Sequence, residues 1–132
     1  MSLLGDIKLE EGYRQFPYRC TEGKLTIGYG FNLDDVGLTE EECDLILNYR
    51  VSKLQAEVKG TLHDLKAPEE VWEILYHMAY QIGLNGLLRF KNMLKALYDM
   101  DYKTAGIEMR DSLWYNQTRN RAERLAKQME NI

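Results

Sequence analysis

Residues 10–30 read EEGYRQFPYRCTEGKLTIGYG, and this stretch decides what kind of fold the chain builds. The acids Glu10 and Glu11 lead into Gly12, a residue suited to ending a helix because it reaches left-handed conformations at low cost. Beyond it, Tyr18, Leu25, Thr26, Ile27, Tyr29 and Phe31 surround the turn Thr21-Glu22-Gly23. Aromatic and β-branched residues on both sides of a glycine turn predict a small hairpin. A sheet of two or three short strands is only marginally stable alone, so helices must support it.

The flanking sequence supplies them. Residues 3–11 predict a short helix with Leu3, Leu4, Ile7 and Leu9 facing inward and Gly12 closing it. Residues 37–60, GLTEEECDLILNYRVSKLQAEVKG, predict a longer one. Thr39 with Glu42 three residues on is a capping box, and acids fill the first turn where the helix dipole favours them. Cys43, Ile46, Leu47, Val51, Leu54 and Val58 recur at helical spacing as an inward stripe, which makes Cys43 a buried structural thiol. Pro68 opens a helix carrying Val71, Trp72, Leu75, Met78, Ala79 and Ile82, stopped by Gly83 and an Asn85-Gly86 turn. Shorter helices follow at 89–99, 101–112 and 118–130, with Asp101 and Thr118 as N-caps. The expected fold is α+β and mainly helical, in one domain over 1–132. A β-rich small lobe spans about 12–35, a connecting helix 39–58 and a helical lobe 60–132.

Composition narrows the function. At 132 residues the chain can bury a real core without metal or disulfide staples. A net charge of −4 speaks against nucleic acid as a partner, since phosphate neutralisation needs a basic surface. Acids dominate up to Asp44, while Arg110, Arg119, Arg121, Arg124 and Lys127 crowd the end. No apolar run approaches the roughly 20 residues needed to cross a bilayer, so no membrane insertion is expected. The start, MSLLGDIKLEEG, lacks the basic head and apolar core of an export signal. Two cysteines cannot form a disulfide framework and read as reduced thiols.

Several chemistries fall away. The chain has no glycine-rich phosphate loop, no paired-cysteine metal spacing and no histidine cluster. A Cys20–His pair would suggest a thiol peptidase, yet nothing local places His63 or His77 beside Cys20. Glu11, at a helix end, and Cys20 and Thr26, on the adjoining hairpin, can share one face. From spacing alone, a solvated helix-end acid and a turn cysteine are the better explanation, since a single acid and a single cysteine are weak signals.

The spacing of Glu11, Cys20 and Thr26, followed by Ile27-Gly28-Tyr29-Gly30, resembles the signature of the phage-type lysozymes, the T-even endolysin family of muramidases. MAYQIGLNGLLRF (residues 78–90) resembles the family's cleft-lining segment, and SLWYNQTRNRAERL (112–125) its Trp-Tyr-Asn-Gln-Thr-x-Asn-Arg-Ala stretch. The resemblance implies a lysozyme-like fold with a cleft between two lobes. It implies that Glu11 is the general acid, that Cys20 stands where an aspartate is commonest, and that Thr26 holds the attacking water. Arg121 falls on the arginine that pairs with the catalytic glutamate. Asn32, Tyr80 and Gln81 fall on cleft positions, and Gly28 and Gly30 on supporting ones. The implied activity is hydrolysis of the β-1,4 bond between N-acetylmuramic acid and N-acetylglucosamine in peptidoglycan, without cofactor or metal. A monomer is expected, held in the host cytoplasm until a holin or similar membrane-permeabilising protein admits it to the wall. A non-catalytic glycan-binding or phage structural module, and a lytic transglycosylase, are the alternatives. Departures from the family pattern are Cys20 itself, Phe31 for a histidine, Asn32 for a leucine, Leu113 for an arginine, and only seven residues between Phe31 and Thr39.

Overall fold

A computed structural model describes residues 2–132. The chain divides into two compact units, one running up to Leu47 and the other from Asn48 to Ile132. Its elements are α1 (Leu3–Glu11), β1 (Arg14–Arg19), β2 (Leu25–Gly28), β3 (Phe31–Asn32), α2 (Glu40–Thr61), α3 (Glu69–Leu88), α4 (Lys91–Tyr98), α5 (Tyr102–Arg110), α6 (Leu113–Gln117) and α7 (Arg119–Glu130). This is a mainly helical α+β fold of the lysozyme type, as the sequence predicts.

In the first unit the strands form one antiparallel sheet in the order β1-β2-β3. Tyr18 pairs with Thr26 and Arg19 with Leu25, with an irregularity between Arg14 and Tyr18. Pro17 falls inside that irregularity, on an edge strand, where a missing N–H leaves no ladder bond unmade. The Ser2 hydroxyl accepts from Gly5 N to cap α1, and Gly12, at φ 71°, closes it with its N–H on Lys8 O. The expected inward face of α1 does not exist: Leu3, Leu4, Ile7 and Leu9 are all exposed. Its last turns meet the β2–β3 turn instead, with the Lys8 ammonium over the Tyr29 ring and the Glu11 carboxylate against Gly30. Apolar spacing cannot signal a contact made by charged residues.

α2 begins with the predicted capping box, Thr39 N donating to Glu42 Oε1 (2.9 Å) and Glu42 N to Thr39 Oγ1 (3.1 Å). Its predicted stripe is buried only at the far end. Val58 is in the core and Leu54 packs against it, whereas Ile46, Leu47 and Cys43 are exposed. Cys43 is therefore an exposed thiol and not a structural core residue.

The second unit holds the hydrophobic core, centred on Leu75, Met78, Leu87, Met93, Leu97, Met109, Leu125 and Met129. α5 and α7 form its most extensive helix pair. They come close because Gly106 has no side chain, and a Cβ there would sit 2.9 Å from Ala126 O. α3 breaks at Gly83 (φ 78°, ψ 166°), as expected, but then resumes through Leu88. The Asn85-Gly86 pair is thus helical and not a turn. Asp101 caps α5 by accepting from Thr104 N (3.1 Å). Thr118 does not cap α7: its hydroxyl donates to Trp114 O (3.0 Å) and so closes α6, a short helix the sequence did not announce.

Candidate active site

Six of the nine singled-out residues belong to the first unit. Glu11 ends α1 and is exposed. Its carboxylate lies against Gly30 in the β2–β3 turn. A Cβ at Gly30 would overlap Glu11 Oε2 and sit 2.8 Å from its Cδ, and the φ of 71° independently favours glycine. Gly28, at φ 67°, leaves the same kind of room for the Phe31 ring, which a Cβ would approach to 2.7 Å. The two glycines therefore let an acid and an aromatic ring settle directly on backbone.

Thr26 sits mid-β2 and is only 4% exposed. Its hydroxyl donates to Lys24 O at 2.9 Å, and the Cys20 amide donates to the same oxygen at 2.9 Å. Gly23 N donates to Cys20 O (2.8 Å), which folds the turn back over the cysteine. One carbonyl thus joins the thiol residue to the hydroxyl residue. The Cys20 thiol is half-buried. The Glu22 and Lys24 amides draw its pKa below the ordinary value, with a smaller contribution from Thr26, against burial and the Glu22 charge. Thr26 has a single hydroxyl proton, already committed to Lys24 O, so the two amides carry the effect.

Asn32 is employed within its own loop. Its Oδ1 accepts from Asp35 N (3.0 Å) and its Nδ2 donates to Asp35 Oδ2 (3.2 Å). These bonds leave one amide proton for a ligand.

Tyr80, Gln81 and Arg121 belong to the second unit. Tyr80 is exposed and, with Arg50, Leu54 and Ala79, lines a hollow of about 350 Å³. Gln81 Oε1 accepts from the buried Trp114 Nε1 at 3.0 Å. That fixes which end of the Gln81 amide is bound and leaves its NH₂ free to donate. Trp114 is held edge-on by Phe90, with centroids 5.9 Å apart. Arg121 is half-buried in the first turn of α7.

Sequence reasoning missed the Gln81–Trp114 bond, although both quoted motifs contain a partner. It also missed an ionic network around Arg110. That guanidinium donates to Glu123 (2.8 and 2.9 Å) and to Glu130, while the Tyr115 hydroxyl donates to Glu123 Oε2 (2.7 Å). Charges 13 and 20 residues apart carry no local spacing signal. The Glu123 carboxyl is held down to about 2, chiefly by Arg110 and then by Tyr115.

A first unit with a three-stranded sheet, an acid at a helix end, a thiol and a buried hydroxyl, and a second, helical unit with an oriented glutamine, define the class: a lysozyme-type glycoside hydrolase fold. The sequence profile of the phage lysozyme family matches residues 8–130, and the chain belongs to that family. The pre-baseplate central spike protein Gp5 of Enterobacteria phage T4 is 30% identical over 95% of this chain and 27% of its own length. The chain thus spans about a quarter of that relative. A probable T4-type lysozyme of Dictyostelium discoideum is 25% identical over 94% of this chain and 91% of its own. An endolysin of Acyrthosiphon pisum secondary endosymbiont phage 1 is 27% identical over 77% and 70%.

Proposed function

We propose that this chain is a muramidase of the endolysin type, cleaving the β-1,4 bond between N-acetylmuramic acid and N-acetylglucosamine in peptidoglycan. Glu11 protonates the departing glycosidic oxygen, and water supplies the hydroxyl of the new end. The Thr26 hydroxyl, its proton committed to Lys24 O, presents oxygen lone pairs that accept from that water. Cys20, more readily ionised than an ordinary thiol, receives the water's proton. Tyr80, Gln81 and Asn32 contact the glycan, Arg121 is the supporting cation, Gly30 gives the acid its seat and Gly28 gives room to the Phe31 ring. The observation that supports this reading is the shared Lys24 carbonyl, which takes both the Cys20 amide and the Thr26 hydroxyl, in the unit whose β2–β3 turn seats Glu11.

The working form is a monomer that needs no cofactor or metal. It waits in the host cytoplasm and reaches the wall when a membrane-permeabilising protein opens the inner membrane. No helix among the described residues is long and apolar enough to cross a membrane.

Mass spectrometry of muropeptides released from purified wall is the test. Products one water heavier than the parent link are expected. Anhydro-muramic products would make the chain a lytic transglycosylase, and no products at all would make it a binding module. One observation favours a second reading, a module of a phage structural protein: the likeness to the spike protein spans nearly all of this chain. A turbidity assay that shows no wall clearing by the purified chain would support that reading.

A further inference from the structure

β3 is two residues long, so β2 outruns its neighbour. Leu25 still gives its carbonyl to Leu33 N (2.8 Å), but its N–H finds no backbone acceptor and goes to Asp34 Oδ2 at 2.8 Å. That N–H and the Lys24 carbonyl belong to one peptide plane, and a planar unit cannot turn one end without the other. The far end of the plane is the oxygen shared by the Cys20 amide and the Thr26 hydroxyl. Asp34 therefore grips one edge of a rigid plate whose opposite edge holds both residues.

The neighbouring contacts reinforce the grip without replacing it. Arg19 reaches both Asp34 Oδ2 (3.2 Å) and Gly23 O (3.2 Å), and Lys24 Nζ reaches Asp35 Oδ1 (3.2 Å). The Arg19–Asp34 pair is 66% and 41% exposed, and exposed pairs of that kind contribute little. A backbone N–H on a carboxylate is about twice as strong as a neutral bond, so the Leu25–Asp34 bond dominates.

We propose that Asp34 is a positioning residue for Cys20 and Thr26, its carboxylate standing in for the strand residue that β3 lacks. The inference rests on the roles proposed above for those two residues. It adds a specificity the short loop requires: the acceptor comes from a side chain because no backbone is there to provide it.

Two readouts test it, on the full chain with Cys43→Ser so that iodoacetamide reports Cys20 alone. Asp34→Ala should cut kcat about tenfold or more while KM stays within about twofold, the usual effect of a small misplacement in a catalytic group. It should also move the midpoint of the alkylation–pH curve upward, because the turn amides lose their fixed aim. Glu22 is the charge that bears on the thiol, while Arg19, Lys24 and Asp34 make their contacts around the same turn, and loss of the Asp34 charge alone would move the midpoint downward. The sign thus separates positioning from simple electrostatics. Asp34→Asn, which keeps an oxygen for the Leu25 amide, should restore kcat and bring the midpoint back to wild type or below it, and Arg19→Ala should leave kcat near wild type. Should Asp34→Ala not fold, Asp34→Glu, with the carboxylate one methylene out of place, should show the same two losses. Unchanged kcat and an unchanged or lowered midpoint in the folded variant would overturn the proposal. The alkylation arm does not need activity: a raised midpoint in a protein that never clears wall would sink the proposed function and leave the positioning standing.

Discussion

Gly30 shows how little side chain the site can tolerate at its centre. The position is held at φ 71° and faces the Glu11 carboxylate, so Gly30→Ala both strains the backbone and displaces the acid. The left-handed conformation alone costs an alanine about 1–2 kcal/mol. Thermal unfolding should show a loss of that order, and wall clearing should fall further than the stability loss explains. Full activity in a folded Gly30→Ala would mean that Glu11 does not work from this seat. Glu11→Gln is the complementary change. It keeps shape but cannot donate a proton, so turbidity clearing should drop ~100- to 10,000-fold with the melting temperature preserved. For Cys20, replacement by Asp should keep much of the activity and replacement by Ala should lose most of it. Wild-type rates in Cys20→Ala would reduce the thiol to a turn residue.

Among the elements, α2 and the α4–α5 connection offer clean tests of local rules. The reciprocal bonds between Thr39 and Glu42 satisfy two of the amides that every helix start leaves open. Thr39→Ala should therefore destabilise by about 1 kcal/mol in chemical denaturation, and an unchanged midpoint would show the cap to be idle. Met100 carries the one positive φ among the described non-glycine residues, 56°, directly after α4. It is exposed, so its side chain contributes little packing to set against the strain. Met100→Gly should raise the denaturation midpoint by an amount on the order of 1 kcal/mol, the left-handed cost it removes. A lowered midpoint would show that the Met100 side chain contributes more than its exposure suggests.

At the scale of the whole molecule, the Arg110 network links α5, α6 and α7 and makes a pH prediction. Arg110 lowers the Glu123 carboxyl from 4.5 to about 2 in the folded protein. A depressed carboxyl adds stability that is fully present above its unfolded value and disappears as the pH falls through its folded value. The contribution should thus be intact above about pH 4.5 and fade toward about pH 2. Melting curves of wild type and Glu123→Gln should diverge at neutral pH and converge in acid. Parallel curves across that range would mean that Glu123 is not coupled to folding.

What the sequence determined by itself was whatever short-range chemistry encodes. The Gly12 helix stop, the Thr21-Glu22-Gly23 hairpin, the Thr39–Glu42 box and the Asp101 cap each rest on residues within four positions of one another. The Glu11–Cys20–Thr26 spacing that pointed to the family runs over residues 11–26, one hairpin and the helix end before it, and residues 8–130 match the family. Tertiary structure decided the rest, because burial depends on what lies opposite. The apolar residues of α1 and the first turns of α2 have helical periodicity and yet stay exposed. Thr118 has a capping side chain that turns back to Trp114 O instead. Gln81 is oriented by a tryptophan 33 residues away, and the peptide plane under Cys20 and Thr26 is held by Asp34, beyond the end of β3. A hydrogen-bond donor finds its partner by distance in space, and one-dimensional spacing records that distance only within a few residues.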